Sequence, residues 1–408
     1  MKHSKKMDKQ FNLKRSMGFQ LKTASLLLPA YQSYKKMAMY PTSPPAHWQE
    51  SCVNSECTLH QLSPYIGKLK SSIAHDLITS YSKPGDLVVD PFSGSGTVPL
   101  EAALLNRNVF AADISSYSKV LTRAKLTSPP TLGDALDIAE LTLREMEKLP
   151  DVDLMGVPKW VKDFFHPMTL NEAIRFASVC RNNKNDFLMA CFLGILHHER
   201  PGFLSFPSSH LVPYLRDKKY SPHQFPEMYE YRPLRPRLIA KIRRAYRRKN
   251  AFNPDTEWTF RQSKIENLTF PGAFNCLITS PPYMNTLDYG RDNRLRLWFI
   301  DPMGRKPTDN PATREKGAFH YAIACMAKKV EQNLKPNGCC ILIVGERINR
   351  AKTTHLSEDI CRIMAEKSPS LHLESIVEDD IPDVRRSRKN CVATKTEHIM
   401  VFRRRRSA

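Results

Sequence analysis

No run of apolar residues in this chain is long enough to cross a bilayer, and the longest early run, Leu26-Leu27-Leu28, is too short for the core of a secretory signal. Neither membrane insertion nor export is expected, and the expected location is the cytoplasm. The ten cysteines show no disulfide or zinc spacing. Cys52 and Cys57 have no second pair, and Cys339-Cys340 lies in an apolar run that belongs in a core. Such usage fits a reducing compartment. His197-His198-Glu199 lacks a second histidine four residues on, so no metal is expected. No internal repeat is visible.

What the 408 residues do contain is a core and a localised surplus of positive charge. Apolar residues make up 41% of the chain, enough for one large domain or two ordinary ones. Against 62 Lys+Arg there are 41 Asp+Glu, a net charge of +21. Three windows hold the surplus: residues 1–40 at +8, 231–254 at +9 and 385–408 at +8, leaving the remainder at −4. A near-neutral body with basic segments suits a polyanion partner, because clustered Lys and Arg neutralise phosphates and release counterions. Terminal windows also occur as solvated tails. The internal window is harder to dismiss.

Along the chain, residues 1–59 read as a basic arm, partly disordered, with Trp48 as its anchor and order beginning near His60. Leu87-Val88-Val89 is a short buried strand after the turn Lys83-Pro84-Gly85-Asp86, and Leu100–Leu105 is helical. Asn108–Ala112 is a second strand ending in Asp113. Strand, glycine loop, helix, strand and acid make a βαβ half of a doubly wound α/β sheet. From 127 to 254 the pattern becomes mostly helical, near Asp134–Lys148, Asn171–Cys180 and Asp186–His197, and ends in a basic helix over Leu238–Lys249. Strands return at Trp258–Phe260, Cys276–Thr279, Cys340–Val344 and His398–Phe402. The sheet domain is thus expected over 60–126 and 255–408, with 127–254 inserted.

Two constellations carry chemistry. Gly94 and Gly96 directly after a strand let the backbone approach a ligand, and the next helix offers free N–H groups. Asp113, at the tip of the following strand, can accept hydrogen bonds from both hydroxyls of a ribose. The loop has no Gly-Lys-Ser/Thr ending, and Asp90 would repel a polyphosphate, so adenosine without a phosphate chain is the expected ligand. The second constellation is Thr279-Ser280-Pro281-Pro282-Tyr283, straight after an apolar strand. Two prolines hold its carbonyls in fixed directions at the carboxyl edge of the sheet. One hydroxyl, rigid carbonyls and one aromatic face suit a planar substrate with an exocyclic amine.

Asp90–Thr97 resembles the cofactor loop, and Thr279–Tyr283 the catalytic loop, of the amino-methyltransferases that modify exocyclic nitrogens of DNA bases. Pro64–Lys68, Leu287-Asp288-Tyr289 and Thr396–Phe402 resemble further stretches of that family, whereas the arm and the insertion carry no assignable motif. The resemblance implies a Rossmann-like methyltransferase sheet with S-adenosylmethionine surrounded by Asp90, Pro91, Phe92, Gly94, Ser95, Gly96 and Thr97, and Asp113-Ile114 at its ribose. It further implies that Ser280 and the Pro281 carbonyl, braced by Pro282, hold the target amine while Tyr283 stacks on a base rotated out of the helix. Two features depart from the pattern. Arg261-Gln262-Ser263-Lys264 lacks an acid that relatives often place there, and the cofactor motif precedes the catalytic one across a large insertion. The Ser-Pro-Pro-Tyr spelling is associated with cytosine N4, the motif order with adenine N6. The spelling weighs more, because it concerns the atoms at the amine.

The resemblance makes double-stranded DNA the expected partner, with a companion restriction nuclease or defence subunit, and gives residues 127–254 the role of target recognition. Within them Arg235, Arg237, Lys241, Arg243, Arg244, Arg247, Arg248 and Lys249 are interleaved with Tyr229, Tyr231 and Tyr246, a pattern that fits phosphate contact and base stacking. A solvated basic helix packed on the sheet is the plainer alternative. An RNA base-amine methyltransferase and a catalytically silent DNA-binding subunit are the other readings the sequence leaves open.

Overall fold

A computed structural model of the chain describes residues 32–39, 41–198, 202–205, 221, 223–226, 229–253, 255–282, 289–303, 315–346, 356–380 and 396–405. Its strands are Leu87–Asp90 (β1), Asn108–Asp113 (β2), Trp258–Gln262 (β3), Phe274–Thr279 (β4), Leu334–Glu346 (β5), Leu371–Asp380 (β6) and Thr396–Arg404 (β7). They form one sheet in the order β3-β2-β1-β4-β5-β7-β6. β1 to β5 are mutually parallel, and β7 runs antiparallel to both of its neighbours. The chain starts at β1, winds outward to β3, then resumes on the other side of β1 with β4. Ligands of open α/β sheets sit at such a reversal, outside the carboxyl ends of the strands.

Strand periodicity sorts the core into two layers. Val89, Phe110, Leu277 and Leu342 face one way, onto helices at Lys316–Asn333 and Leu356–Lys367. Val88, Val109, Cys276 and Ile341 face the other, onto helices at Ser71–Tyr81 (α2) and Thr97–Leu104 (α3). An earlier helix over 32–39 counts as α1. Cys339 and Cys340 are both buried in β5, one on each layer.

A third core joins the inserted segment to the sheet domain. Ser116–Leu126 (α4) gives Tyr117, Val120, Leu121 and Ala124 to the same cluster as Leu132–Glu147 (α5), Pro167–Asn182 (α7) and Asp186–Leu193 (α8), with the short Lys159–Lys162 (α6) between. α5 begins with a reciprocal cap, the Thr131 hydroxyl taking the Asp134 N–H and the Asp134 carboxylate taking the Thr131 N–H. Arg123 of α4 pairs with Asp186 of α8 at 2.5 Å. At Gly194 a Cβ would lie 2.0 Å from the Leu62 carbonyl oxygen, so the end of α8 rests directly on the chain before the sheet.

Several expectations need correction. The arm is docked from residue 32, not from His60: Tyr34 is buried and its hydroxyl lies 2.8 Å from Ser357 Oγ, while Thr42 bridges to Val377 of the edge strand β6. Trp48 is indeed buried, donating its indole N–H to Asp76. Residues 1–31 lie outside the described residues. The basic helix is Leu234–Ala245 (α9), so Tyr246–Lys249 follow it, and His197 lies past α8 in a bridge with Ser205. β6 was not foreseen.

Candidate active site

The two sequence constellations meet at the reversal. β1 ends in Asp90 and its neighbour β4 ends in Thr279, whose hydroxyl donates to Asp90 Oδ1 at 2.6 Å. Burial pushes the Asp90 carboxyl up to about 7, against the opposing hydrogen bonds from Thr279 and the Phe92 N–H. One strand over, Asp113 closes β2, and its two oxygens accept the Gly94 and Ser115 N–H groups, each at 2.9 Å. Burial raises its pKa as well, again opposed by those backbone donors. Gly96 holds φ +73°, and a Cβ there would come within 2.7 Å of Thr122 Oγ1 and 2.9 Å of Thr122 Cα. Glycine is required by both conformation and space.

A cleft opens above these strand ends. Asp90, Pro91, Phe92, Gly94, Ser95, Thr97, Asp113 and Ile114 of the expected cofactor set line it, and so do Ser280 and Pro282 of the catalytic motif. Gly96 and Pro281 are not among the residues that line it, and Tyr283 lies outside the described residues. Other lining residues were not singled out for the site. Glu266, in the turn Ile265–Asn267, brings a carboxylate to the place where the Arg261–Lys264 stretch had none. Its position two residues past that stretch was the missed signal. Lys68 and Tyr65 come from the Pro64–Lys68 stretch and Tyr289 from a helical turn over Tyr289–Asp292 (α10) after the catalytic motif; the Tyr65 and Tyr289 rings are 5.9 Å apart. Tyr321 reaches the cleft from Lys316–Asn333, about forty residues beyond the catalytic motif, and no local pattern marks it.

The basic windows divide. On and after α9, Lys241 is buried and donates to the Gln61 carbonyl at 2.6 Å; burial lowers its pKa to about 8. Arg235 pairs with Glu140 and Glu147, Arg237 bonds the Phe203 and Pro233 carbonyls, and Arg248 bonds those of Glu56 and Val53. Lys249 bonds the Pro130 carbonyl and lies over Tyr246. Lys241 therefore cannot meet a phosphate as expected, and these other four cations are held by the protein itself. Arg243, Arg244 and Arg247 are exposed. At the C-terminus, antiparallel β7 carries Arg403 to the level of Cys339, at the amino edge of the parallel strands, whereas its start at Thr396 pairs with Glu346 at the carboxyl edge. Arg403 and Arg404 thus lie on the far side of the sheet from the cleft.

Residues 7–122, which include most of the basic arm and the whole glycine loop, match the DNA methylase family model of the N6/N4 type. The likeness is to DNA amino-methyltransferases. The Type II methyltransferase M.MvaI of Kocuria varians is 24% identical over 61% of this chain and 59% of its own length. M.MjaII of Methanocaldococcus jannaschii, another Type II methyltransferase, is 29% identical over 17% of this chain and 13% of its own. The chain therefore spans well under two thirds of either curated relative. The solved structure of TrmN from Thermus thermophilus aligns at a TM-score of 0.34 and 11% identity, over 83% of this chain and 50% of that one.

The cleft fits S-adenosylmethionine on its own chemistry. Phe92, Val98, Ile114 and Ile265 offer apolar surface to an adenine, and Asp113 brings a carboxylate to the same wall. Three carboxylates, Asp90, Asp113 and Glu266, face two ammonium groups, Lys68 and Lys264, a balance that suits a cationic, zwitterionic ligand better than a phosphate chain. Among the described residues no group of three or more His, Cys, Asp or Glu is placed to hold a metal ion, and no helix is long and apolar enough to cross a membrane.

Proposed function

We propose that this chain transfers a methyl group from S-adenosylmethionine to the exocyclic amine of a base in double-stranded DNA, cytosine N4 in preference to adenine N6, and that residues 127–254 contribute to target recognition. The observation that carries the reading is the Thr279–Asp90 hydrogen bond, which locks the end of the cofactor strand to the start of the catalytic motif. Both motifs then wall one cleft, within reach of one another.

The cofactor supplies an electrophilic methyl on a sulfonium. The chain supplies position. Asp113 and Glu266 orient the nucleoside end, and Asp90, ionised when a cationic ligand neutralises it, faces the charged end. Ser280 and the Pro281 carbonyl accept hydrogen bonds from the target amine, which draws the nitrogen lone pair out of conjugation and toward the methyl carbon. Bound there, the cofactor would supply its methyl carbon to that nitrogen with the S–C electron pair left on sulfur, and the amine proton would pass to solvent. The exocyclic nitrogen needs no strong base for this, so alignment is the main contribution. Tyr283 stacks on the base. In this reading Arg243 and Arg247 meet phosphates beside the target.

Purified protein incubated with methyl-labelled cofactor and separate duplex DNA and RNA pools is expected to label DNA. Digestion to nucleosides is expected to release N4-methylcytosine. Label confined to RNA would overturn the substrate, N6-methyladenine only the base. Absence of transfer to either pool, with cofactor still bound, would favour a silent DNA-binding subunit.

A further inference from the structure

Lys125, in the last turn of α4, is a buried cation that faces neither the cleft nor solvent. Its ammonium donates a 2.6 Å hydrogen bond to the Ser95 carbonyl. The N–H on the other side of that same peptide, belonging to Gly96, donates to the Ser93 carbonyl at 2.7 Å. Both polar ends of the Ser95–Gly96 peptide are therefore held. A peptide next to glycine is the one most free to rotate, since glycine tolerates either sign of φ, and here Gly94 and Gly96 both have positive φ.

Two more residues on the same face of α4 act on this loop. Ser118 Oγ lies 3.2 Å from Ser93 Oγ, and Thr122 Oγ1 lies 3.5 Å from it while its side chain and backbone fill the space beside Gly96. Residues 118, 122 and 125 are spaced four and three apart, one stripe along a helix. The buried carboxylates nearest in charge to Lys125, Glu101 and Glu56, are taken by other groups: Glu101 bonds His60 and His75, and Glu56 bonds Ser71. Burial lowers the Lys125 pKa to about 7, and the amine, with its N–H donating to a loop carbonyl in place of a carboxylate, is built against the loop.

We infer that Lys125 is a positioning residue for the cofactor loop, its ammonium fixing the Ser95–Gly96 peptide in the orientation that shapes the cleft for S-adenosylmethionine. This rests on the cofactor reading given above. Lys125→Met, which keeps the aliphatic stem, is expected to weaken binding of S-adenosylhomocysteine in calorimetry by about tenfold or more, a change of about 1.4 kcal/mol per decade. At saturating cofactor its kcat is expected to stay within about threefold of wild type, because Lys125 touches no reacting atom. Lys125→Gln, which retains an N–H donor without the charge, is expected to recover part of the affinity. In the ligand-free full-length protein, backbone hydrogen exchange across residues 93–97 should quicken in both variants while β1 and β2 stay as protected as before. Wild-type affinity and unchanged loop exchange in the variants would overturn the inference, and if the Met variant fails to fold the Gln variant decides it alone. A wild-type protein that binds no S-adenosylhomocysteine would instead overturn the cofactor reading itself.

Discussion

The glycine loop after β1 and the basic helix α9 are the two loudest features of the sequence, and the fold uses them in opposite ways. The loop's backbone is tied down by Asp113 and Ser93 at the cleft and by Lys125 away from it, so that it presents a fixed wall to an open cleft. On α9 and just after it, side chains that look available are turned inward or paired: Lys241 on Gln61, Arg235 on two glutamates, Arg248 on the 53–56 segment. Rigid support leaves function free in the first case. In the second, the charge itself is the support.

The largest effect is expected at the loop. Gly96→Ala places a side chain in left-handed backbone and against Thr122, which should cost about 2–3 kcal/mol of stability by denaturant titration and abolish measurable cofactor binding. A variant that kept wild-type affinity would mean the loop tolerates movement, and the contrast with α9 would dissolve. Next comes Asp90. Its folded pKa lies above the ordinary carboxylate value, near 7, so the stability linked to it is present at low pH and is lost as pH rises toward about 7. Melting of the ligand-free protein should carry that decline. Cofactor affinity should run the other way, strengthening as Asp90 ionises, and Asp90→Asn should flatten both profiles. The smallest effects sharpen the other side of the contrast. Arg243→Ala with Arg247→Ala should leave the melting temperature in place and lower the slope of DNA affinity against log salt by about 1–2. Arg235→Ala should do the reverse, costing up to about 1 kcal/mol of stability with the salt slope unchanged.

The sheet around the cofactor was legible because its signals are local. Apolar runs bounded by turns became β1, β2 and β4, and the position of Asp113 relative to Gly94 is a spacing along the chain. β6 was not legible. Its half-exposed alternation through Leu371, Leu373 and Ile376 is broken by a register shift between Leu373 and Ser375, so neither a continuous run nor a strict period of two survives. The docking of the arm rests on Tyr34 meeting Ser357, a contact with no trace in nearby sequence. The fate of Lys241 is legible in the helical period: with Leu234, Leu238, Ile242 and Ala245 it falls on the buried stripe of α9, which a count of charges along the chain does not show. Nor does a charge count along the chain show which edge of the sheet a residue reaches: the reversed direction of β7 carries Arg403 and Arg404 to the edge opposite the cleft.

The fit of Gly194 on Leu62 bears on how such a protein could change its target. A segment held by a backbone contact that admits no side chain, and by the Arg123–Asp186 pair, is not a cassette that lifts out at 127 and 254. Were residues 127–254 to recognise the target as proposed, an exchange of specificity would have to carry residues 58–62 and the outer face of α4 along with them. A chimera cut at 127 and 254 would therefore inherit a mismatched seam.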